Sequence, residues 1–311
     1  MAGTLTTDIL TTDTTATTDT AAAVAQVRRF SRVVTQRVGA LQDHYLARDR
    51  PLAESRVLWE IGPDGCDVRE LRSRLDIDSG YASRLLRSLE AAGLVAVGPG
   101  DGDRRVRRAR LTPAGRAERA VLDRRAEALA AGLLAPLTDR QRDRLVAAMA
   151  EVERLLTAAL VEVGATDPAD PDARWCLAQY MAELDRRFAA GFDPARSLPL
   201  DRDEMVPPVG MFVVARLRGA PVGCGAFKRQ DDGSAYLKRM WVAPAARGLG
   251  VGRRLLADLE SRARAAGATT AVLETNGTLA EAIALYRSAG YTEVPPFNDE
   301  PYAHHWFAKP L

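Results

Sequence analysis

The sequence predicts two domains of different class: a mainly α part built around a helix–helix–ribbon unit, then an α/β part with a mixed sheet and flanking helices. Three observations carry this. The chain has 311 residues, long for one hydrophobic core. Apolar residues recur at helical spacing through most of the first half, then change to strand–turn–strand runs after a Pro- and Asp-rich linker at 164–172. Charge is also unevenly divided. From Val24 to Arg154 there are 25 Arg, no Lys and 19 acidic residues, a balance of +6; from Leu155 onward 18 basic face 19 acidic residues, a balance of −1. A basic first part points to an anionic partner.

Residues 4–20 contain ten Thr with Asp interspersed and little to bury, so 1–20 is expected to be a disordered tail. Helical periodicity starts near Ala21 and runs to about Arg48, where Pro51 ends it. Shorter helices follow at 53–61, 67–75 and 79–92, the last closed by Gly93. Leu94–Val97 and Val106–Leu111 read as two strands around the turn Gly98–Gly102. Thr112-Pro113 opens two long helices, about 113–134 and 138–158. The predicted domains are therefore 21–158 and 159–311. In the second, Val161–Val163 reads as a short strand and 173–190 as a helix, followed by strands near 210–217, 221–228 and 234–242. A helix at 250–266, a strand at 270–275, a helix at 278–289 and strands near 291–294 and 302–309 complete it.

Composition excludes several classes. No apolar run reaches 18 residues, so no transmembrane helix and no membrane partner is expected. No basic segment followed by an apolar one opens the chain, so no secretory signal is expected. Cys66, Cys176 and Cys224 lie far apart with no metal-ligand spacing. They read as small buried hydrophobes or, alternatively, redox thiols, in a cytoplasmic protein without a metal site.

The chemistry of the second half starts at its glycines. Leu237–Val242 is a strand pattern, Arg247-Gly248-Leu249-Gly250-Val251-Gly252 follows, and Val251, Leu255, Leu259 and Ala263 then repeat at helical spacing. Strand, glycine loop and helix let successive N–H groups converge at a positive helix end, where a pyrophosphate fits. A Walker loop would need Gly-Lys-Ser/Thr, which is absent, and a Rossmann loop would place its third glycine one residue later.

The stretch Met240–Gly252 resembles the acetyl-CoA motif of the GNAT superfamily of N-acetyltransferases. Leu273-Glu274-Thr275-Asn276 and Ala282–Tyr291 resemble that family's second motif. The resemblance covers roughly 160–311 and implies a mixed, mostly antiparallel sheet with flanking helices. It implies acetyl-CoA as co-substrate and a small-molecule amine or a lysine as acceptor. It also implies that the backbone of Met240, Trp241 and Val242 pairs with the pantetheine arm, with a Val242 N–H at the oxyanion. The N–H groups from Arg247 to Arg253 (through Gly248, Leu249, Gly250, Val251 and Gly252) hold the pyrophosphate, Asn276 reaches the pantetheine amide or the acceptor, and Tyr286 is the general acid. Many family members carry a carboxylate on the strand before the loop; Tyr236–Val242 has none. The base is left among Glu183, Glu274, Glu293 and Glu300, or bulk deprotonation of the amine. The polar and aromatic end, Phe297–Phe307, supplies Asn298, Glu300, Tyr302 and His304 as acceptor-side candidates together with Glu183. Alternation on a strand would send His304 and Trp306 one way and His305 and Phe307 the other.

In the first half, Ala82, Leu85, Leu86 and Leu89 form a buried stripe on one helix. Ser79, Tyr81, Ser83, Arg84 and Arg87 are left for base edges and phosphates. Five Arg within 104–110 crowd the ribbon tip. Leu85–Val95, Asp101–Arg105 and Leu111–Gly115 resemble the winged helix-turn-helix of the MarR family, over about 21–158. That resemblance implies a homodimer through the first and last helices, a pseudo-palindromic double-stranded DNA site, and Arg104 and Arg105 at the wing, with Arg105 in the minor groove. The expected whole is a DNA-binding regulator fused to an N-acetyltransferase. The alternative is a regulator whose second half senses acetyl-CoA without turnover.

Overall fold

A computed structural model describes residues 11–41, 44–100 and 106–311, with side chains from residue 20. The chain divides into two units between Asp143 and Arg144, and each is described by itself.

In the first unit, α1 (Thr11–Arg37) precedes a 3-10 turn at Tyr45–Ala47, and α2 spans Leu52–Ile61. The helix thus begins inside the segment expected to lack structure. Once the Ala-rich run at 21–25 is helical, each preceding residue adds a hydrogen bond without a new nucleus. It ends well before Arg48, near Gly39, which is left-handed (φ 70°), and Pro51 serves instead as the N-cap of α2. Then come β1 (Cys66–Asp67), α3 (Val68–Leu75), α4 (Ser79–Ala91), β2 (Val95–Pro99), β3 (Arg107–Leu111) and α5 (Pro113–Leu134). The helix α6 (Asp139–Ala159) crosses the division between the units. The small antiparallel sheet runs β1-β3-β2; the two residues of β1 are too few to show a period. Ala82, Leu85, Leu86 and Leu89 of α4 are all buried, the three leucines in a core with Leu58, Leu71 and Leu122. Thr112 caps α5 by accepting from the Gly115 N–H. Gly115 is required there, because a Cβ would lie 1.9 Å from the Leu94 carbonyl oxygen.

The second unit is a seven-stranded sheet in the order β4-β5-β6-β7-β8-β10-β9. Its strands are β4 (Val161–Ala165), β5 (Gly210–Leu217), β6 (Ala220–Arg229), β7 (Ser234–Val242), β8 (Thr270–Thr275), β9 (Thr292–Val294) and β10 (His305–Pro310). All neighbours are antiparallel except β7 and β8. The helices are α7 (Pro171–Arg187), α8 (Val251–Ala265) and α9 (Ala280–Ser288). Val251, Leu255, Leu256, Leu259 and Ala263 bury one face of α8 against the sheet, and Phe212, Phe227 and Phe307 fill the core. The last strand begins at His305, so His304 lies outside the alternation expected of it; its N–H donates to the Thr275 carbonyl. No described helix is long and apolar enough to cross a membrane.

Candidate active site

The site begins where two strands part. β7 and β8 pair only from Ser234–Tyr236 to Thr270–Val272. On its other side, β7 is bulged: Trp241 pairs with Cys224 and Lys238 with Ala226, leaving Arg239 and Met240 opposite Gly225. Beyond Tyr236 the β8-facing edge of β7 therefore has backbone groups unpaired by β8, and two cavities open along it.

The first, of about 480 Å³, is lined by Met240, Trp241 and Val242, by the loop that follows, by α7 and by α9. Gly248 (φ 79°) and Gly250 (φ 74°) turn the chain into α8, and a Cβ at either would meet open space. Gly250 is the N-cap of α8 and no side chain caps that end. The free N–H groups of the first turn and the dipole of a 15-residue helix suit a diphosphate. Arg247, Gly248, Gly250, Val251, Gly252 and Arg253 line the cavity; Leu249 packs against the core instead. Its side chain is apolar and the turn directs it inward, so only its backbone remains for a ligand.

Glu183 has a different place from the one expected. Its buried carboxylate receives both a Trp241 Nε1–H bond (2.9 Å) and Arg247 Nη2 (2.6 Å), with Arg187 at 3.5 Å. It lines the first cavity and holds the loop against β7 and α7, so it is neither a free base nor an acceptor ligand. Helical spacing makes this possible: Tyr180, Glu183, Leu184 and Arg187 share one face of α7.

The second cavity, of about 90 Å³, adjoins the first; Tyr180, Leu184, Met240, Leu279, Ala282 and Tyr286 line both. Its polar floor is a buried network. Lys238, with its side chain 6% exposed, lies 3.6 Å from Glu274 and 3.4 Å from Glu300, and donates to the Leu198 carbonyl (3.1 Å). Glu274 accepts from the Tyr236 hydroxyl (2.5 Å), and Asn298 bridges Tyr236 Oη (3.0 Å) and Trp306 Nε1 (2.8 Å). Glu300 accepts from Ser197 Oγ and the Leu198 N–H, both at 2.9 Å. Burial pushes the Glu274 carboxyl above the usual range, opposed by Lys238, and pushes the Lys238 ammonium below its own. Burial also pushes the Tyr180 phenol up to about 12. Tyr286 is raised too, by burial first and then by Tyr180 and Glu274, so its hydroxyl keeps its proton at neutral pH.

Of the expected acceptor-side residues, the structure brings Glu300 and Tyr302 to the second cavity. Asn298 lies behind it, saturated by Tyr236 and Trp306. His304 faces away, its Nδ1 accepting from the Gly277 N–H (3.1 Å). Among the base candidates, Glu293 is bound to His305 (2.6 Å) and Arg287 (3.0 Å) and lines neither cavity. Asn276 lines the second cavity rather than the first, and its side chain is engaged: Nδ2 donates to the Tyr302 carbonyl (2.7 Å), while Oδ1 accepts from Thr278 N–H and Oγ1 (both 2.9 Å). Sequence reasoning missed Tyr180, Phe188, Phe192, Lys238 and Arg239. None belongs to a motif, and only the α7 spacing of Tyr180, Leu184 and Phe188 hinted at a shared face.

In the first unit, Asp78 caps α4 by accepting from the Tyr81 N–H (2.9 Å). Ser79, Tyr81, Arg84 and Arg87 are exposed and Ser83 is half-buried. The Arg84 guanidinium lies over the Tyr81 ring at 5.4 Å, and Arg87 Nε donates to the Ser83 carbonyl. Arg104 and Arg105 lie outside the described residues.

Comparisons with known proteins find two families along the chain. Residues 178–291 match the acetyltransferase (GNAT) family and residues 49–106 the MarR family. An IAA acetyltransferase of Azospirillum brasilense is 41% identical over 39% of this chain and 80% of its own length. The N-alpha-acetyltransferase RimI of Mycobacterium tuberculosis is 34% identical over 43% of this chain and 80% of its own. A solved GNAT-family acetyltransferase from Staphylococcus aureus is 17% identical, covering 49% of this chain and 99% of that one with a TM-score of 0.42. The chain belongs to the GNAT acetyltransferase family and carries a MarR-family domain ahead of it. It is thus a MarR-type regulator fused to an acetyl-CoA-dependent N-acetyltransferase.

Proposed function

We propose that the second unit turns over acetyl-CoA, passing the acetyl group to a primary amine where the two cavities meet, and that the first unit binds duplex DNA. The carrying observation is the junction itself. Met240 and Tyr286 line both cavities, so a donor thioester on one side and an amine on the other can reach the same point. Acetyl-CoA supplies an acyl carbon activated by its thioester. Met240, Trp241 and Val242 offer a strand edge to the pantetheine arm, and the backbone from Arg247 to Arg253 offers donors to the diphosphate. Glu274, buried in the lining of the second cavity with its carboxyl pushed upward, takes the proton of the incoming ammonium; a raised value brings such a group closer to neutral pH and makes it a better base. A carboxylate absent from β7 is thereby supplied from β8. The amine nitrogen forms the new bond to the acyl carbon, the carbon–sulfur bond breaks, Tyr286 protonates the leaving sulfur, and the proton that the nitrogen sheds on becoming an amide restores the Tyr286 hydroxyl.

Free thiol released from acetyl-CoA by the full chain against an amine panel tests this. Turnover with at least one amine, lost in Tyr286→Phe, is expected; no release with any amine would leave acetyl-CoA as a sensed ligand only. In the first unit, Ser79, Tyr81, Ser83, Arg84 and Arg87 present a polar and cationic helix face suited to a major groove, with Arg104 and Arg105 at the wing. The domains 21–158 and 159–311 then correspond to regulator and enzyme in a cytoplasmic homodimer reading a pseudo-palindromic site. The exposed apolar residues Val27, Phe30 and Val33 of α1 support pairing. Binding to such a duplex should weaken as salt rises, and Arg84→Ala/Arg87→Ala should reduce it; unchanged binding would remove α4 from the interface.

A further inference from the structure

The second cavity holds a cation that its buried network does not use. Arg239 stands at the β7 bulge with φ 60°, a left-handed conformation that side chains rarely adopt and that clusters at functional positions. It lines the cavity, half-buried, with its guanidinium 5.8 Å from the centre of the Tyr180 ring. Among the described residues no carboxylate pairs with it: the two acids of the cavity, Glu274 and Glu300, both face Lys238 instead. Tyr302 Oη is engaged by the Asp193 N–H and Asn276 by its own turn. The wall formed by Phe188, Phe192 and Tyr302 is a ring cluster.

Charge balance then selects the ligand. Two carboxylates and two cations line this small space, so a zwitterion enters without a net buried charge, whereas a simple ammonium leaves one uncompensated. An arginine fork also matches a carboxylate in two parallel hydrogen bonds. Resting on the acceptor role given to this cavity above, we propose that Arg239 receives a carboxylate of the acceptor. The acceptor is then a small amino acid or a close analogue, its ammonium toward Glu274 and its carboxylate on Arg239.

Titration calorimetry on the full chain saturated with CoA tests this without any turnover. The probes are glycine, L-methionine, L-phenylalanine and L-glutamate, each against its α-carboxamide. At least one acid is expected to bind about tenfold or more tighter than its amide, as a charge-assisted hydrogen bond would give. Arg239→Ala should erase that difference with CoA affinity unchanged, and Arg239→Lys should restore part of it. With acetyl-CoA present, Arg239→Ala should raise the acceptor's KM far more than it lowers kcat. Amides bound as well as acids, equal loss of both in Arg239→Ala, or no binding by any probe would each overturn the assignment. Selective binding of an acid that is never acetylated would instead sink the turnover reading and leave the role of Arg239 standing.

Discussion

The two cavities are built by opposite means. The first cavity, proposed above for the donor, relies on backbone: a strand edge, two left-handed glycines and an uncapped helix end, all within residues 240–253. The second cavity, proposed above for the acceptor, relies on side chains from α7, the segment after it, β7, β8, α9 and the loop before β10, spread from Tyr180 to Ala303. A backbone site is specified by a few residues that permit a conformation, so it can be held constant while its surroundings change. A side-chain site is specified by every group that reaches it, so it sets what the enzyme accepts and is open to variation.

The largest test of that contrast removes the central cation of the acceptor side. Lys238→Ala leaves Glu274 and Glu300 buried without their partner and should destabilise the second unit by about 3–5 kcal/mol. Thermal denaturation of the full chain reads this, and adding Glu274→Gln should recover part of the loss. No loss would mean that the network is not the side-chain scaffold described.

Next in size, Glu274→Gln should lower kcat by roughly 100-fold, the lower range of general-base effects, with acetyl-CoA affinity unchanged. In the wild type, kcat/KM for the acceptor should fall as pH drops through the Glu274 carboxyl, at a value above the ordinary carboxylate range. That acid limb should vanish in the variant. The stability linkage has the opposite sense. A carboxyl raised by folding contributes stability that is complete below its unfolded value and lost as pH rises through the folded one. A pH profile unchanged in Glu274→Gln would return the base to solvent.

Glu183→Ala probes whether the donor side is as purely backbone as it looks. It unpairs Arg247 and Trp241, and should weaken acetyl-CoA binding about tenfold while leaving acceptor binding alone. The smallest effect is expected from Gly250→Ala. The added methyl meets no neighbour, so only the left-handed backbone penalty of about 1 kcal/mol acts, roughly a fivefold loss of donor affinity in a fluorescence or calorimetric titration. A much larger loss would show that ligand atoms approach that position closely.

The legibility of the two sides follows the same division. The order strand, glycine loop, helix was readable because each part leaves a local mark: a period of two, a glycine requirement, a period near 3.6. Most of the helices and strands came out close to their expected bounds for that reason. The exceptions are β1, two residues long, the two ends of α1, and β10, which starts at His305, after the polar run that the expected strand includes. Asn298 and His304 looked like acceptor ligands because they are polar among aromatics, but their partners, Trp306, Tyr236 and Gly277, could not be known before the chain folded.

By itself the sequence determined the two-part architecture, the strand–glycine loop–helix order, and α4 closed by Gly93 with its cationic face. These depend on neighbours within a few turns. Only the tertiary structure decided that β10 inserts between β8 and β9, that Glu183 secures Arg247, that Glu274 lines the second cavity beside Lys238, and that Arg239 faces Tyr180 with no carboxylate partner among the described residues. Each of those depends on which distant charges meet in a shared low-dielectric space, and no local period records such a meeting.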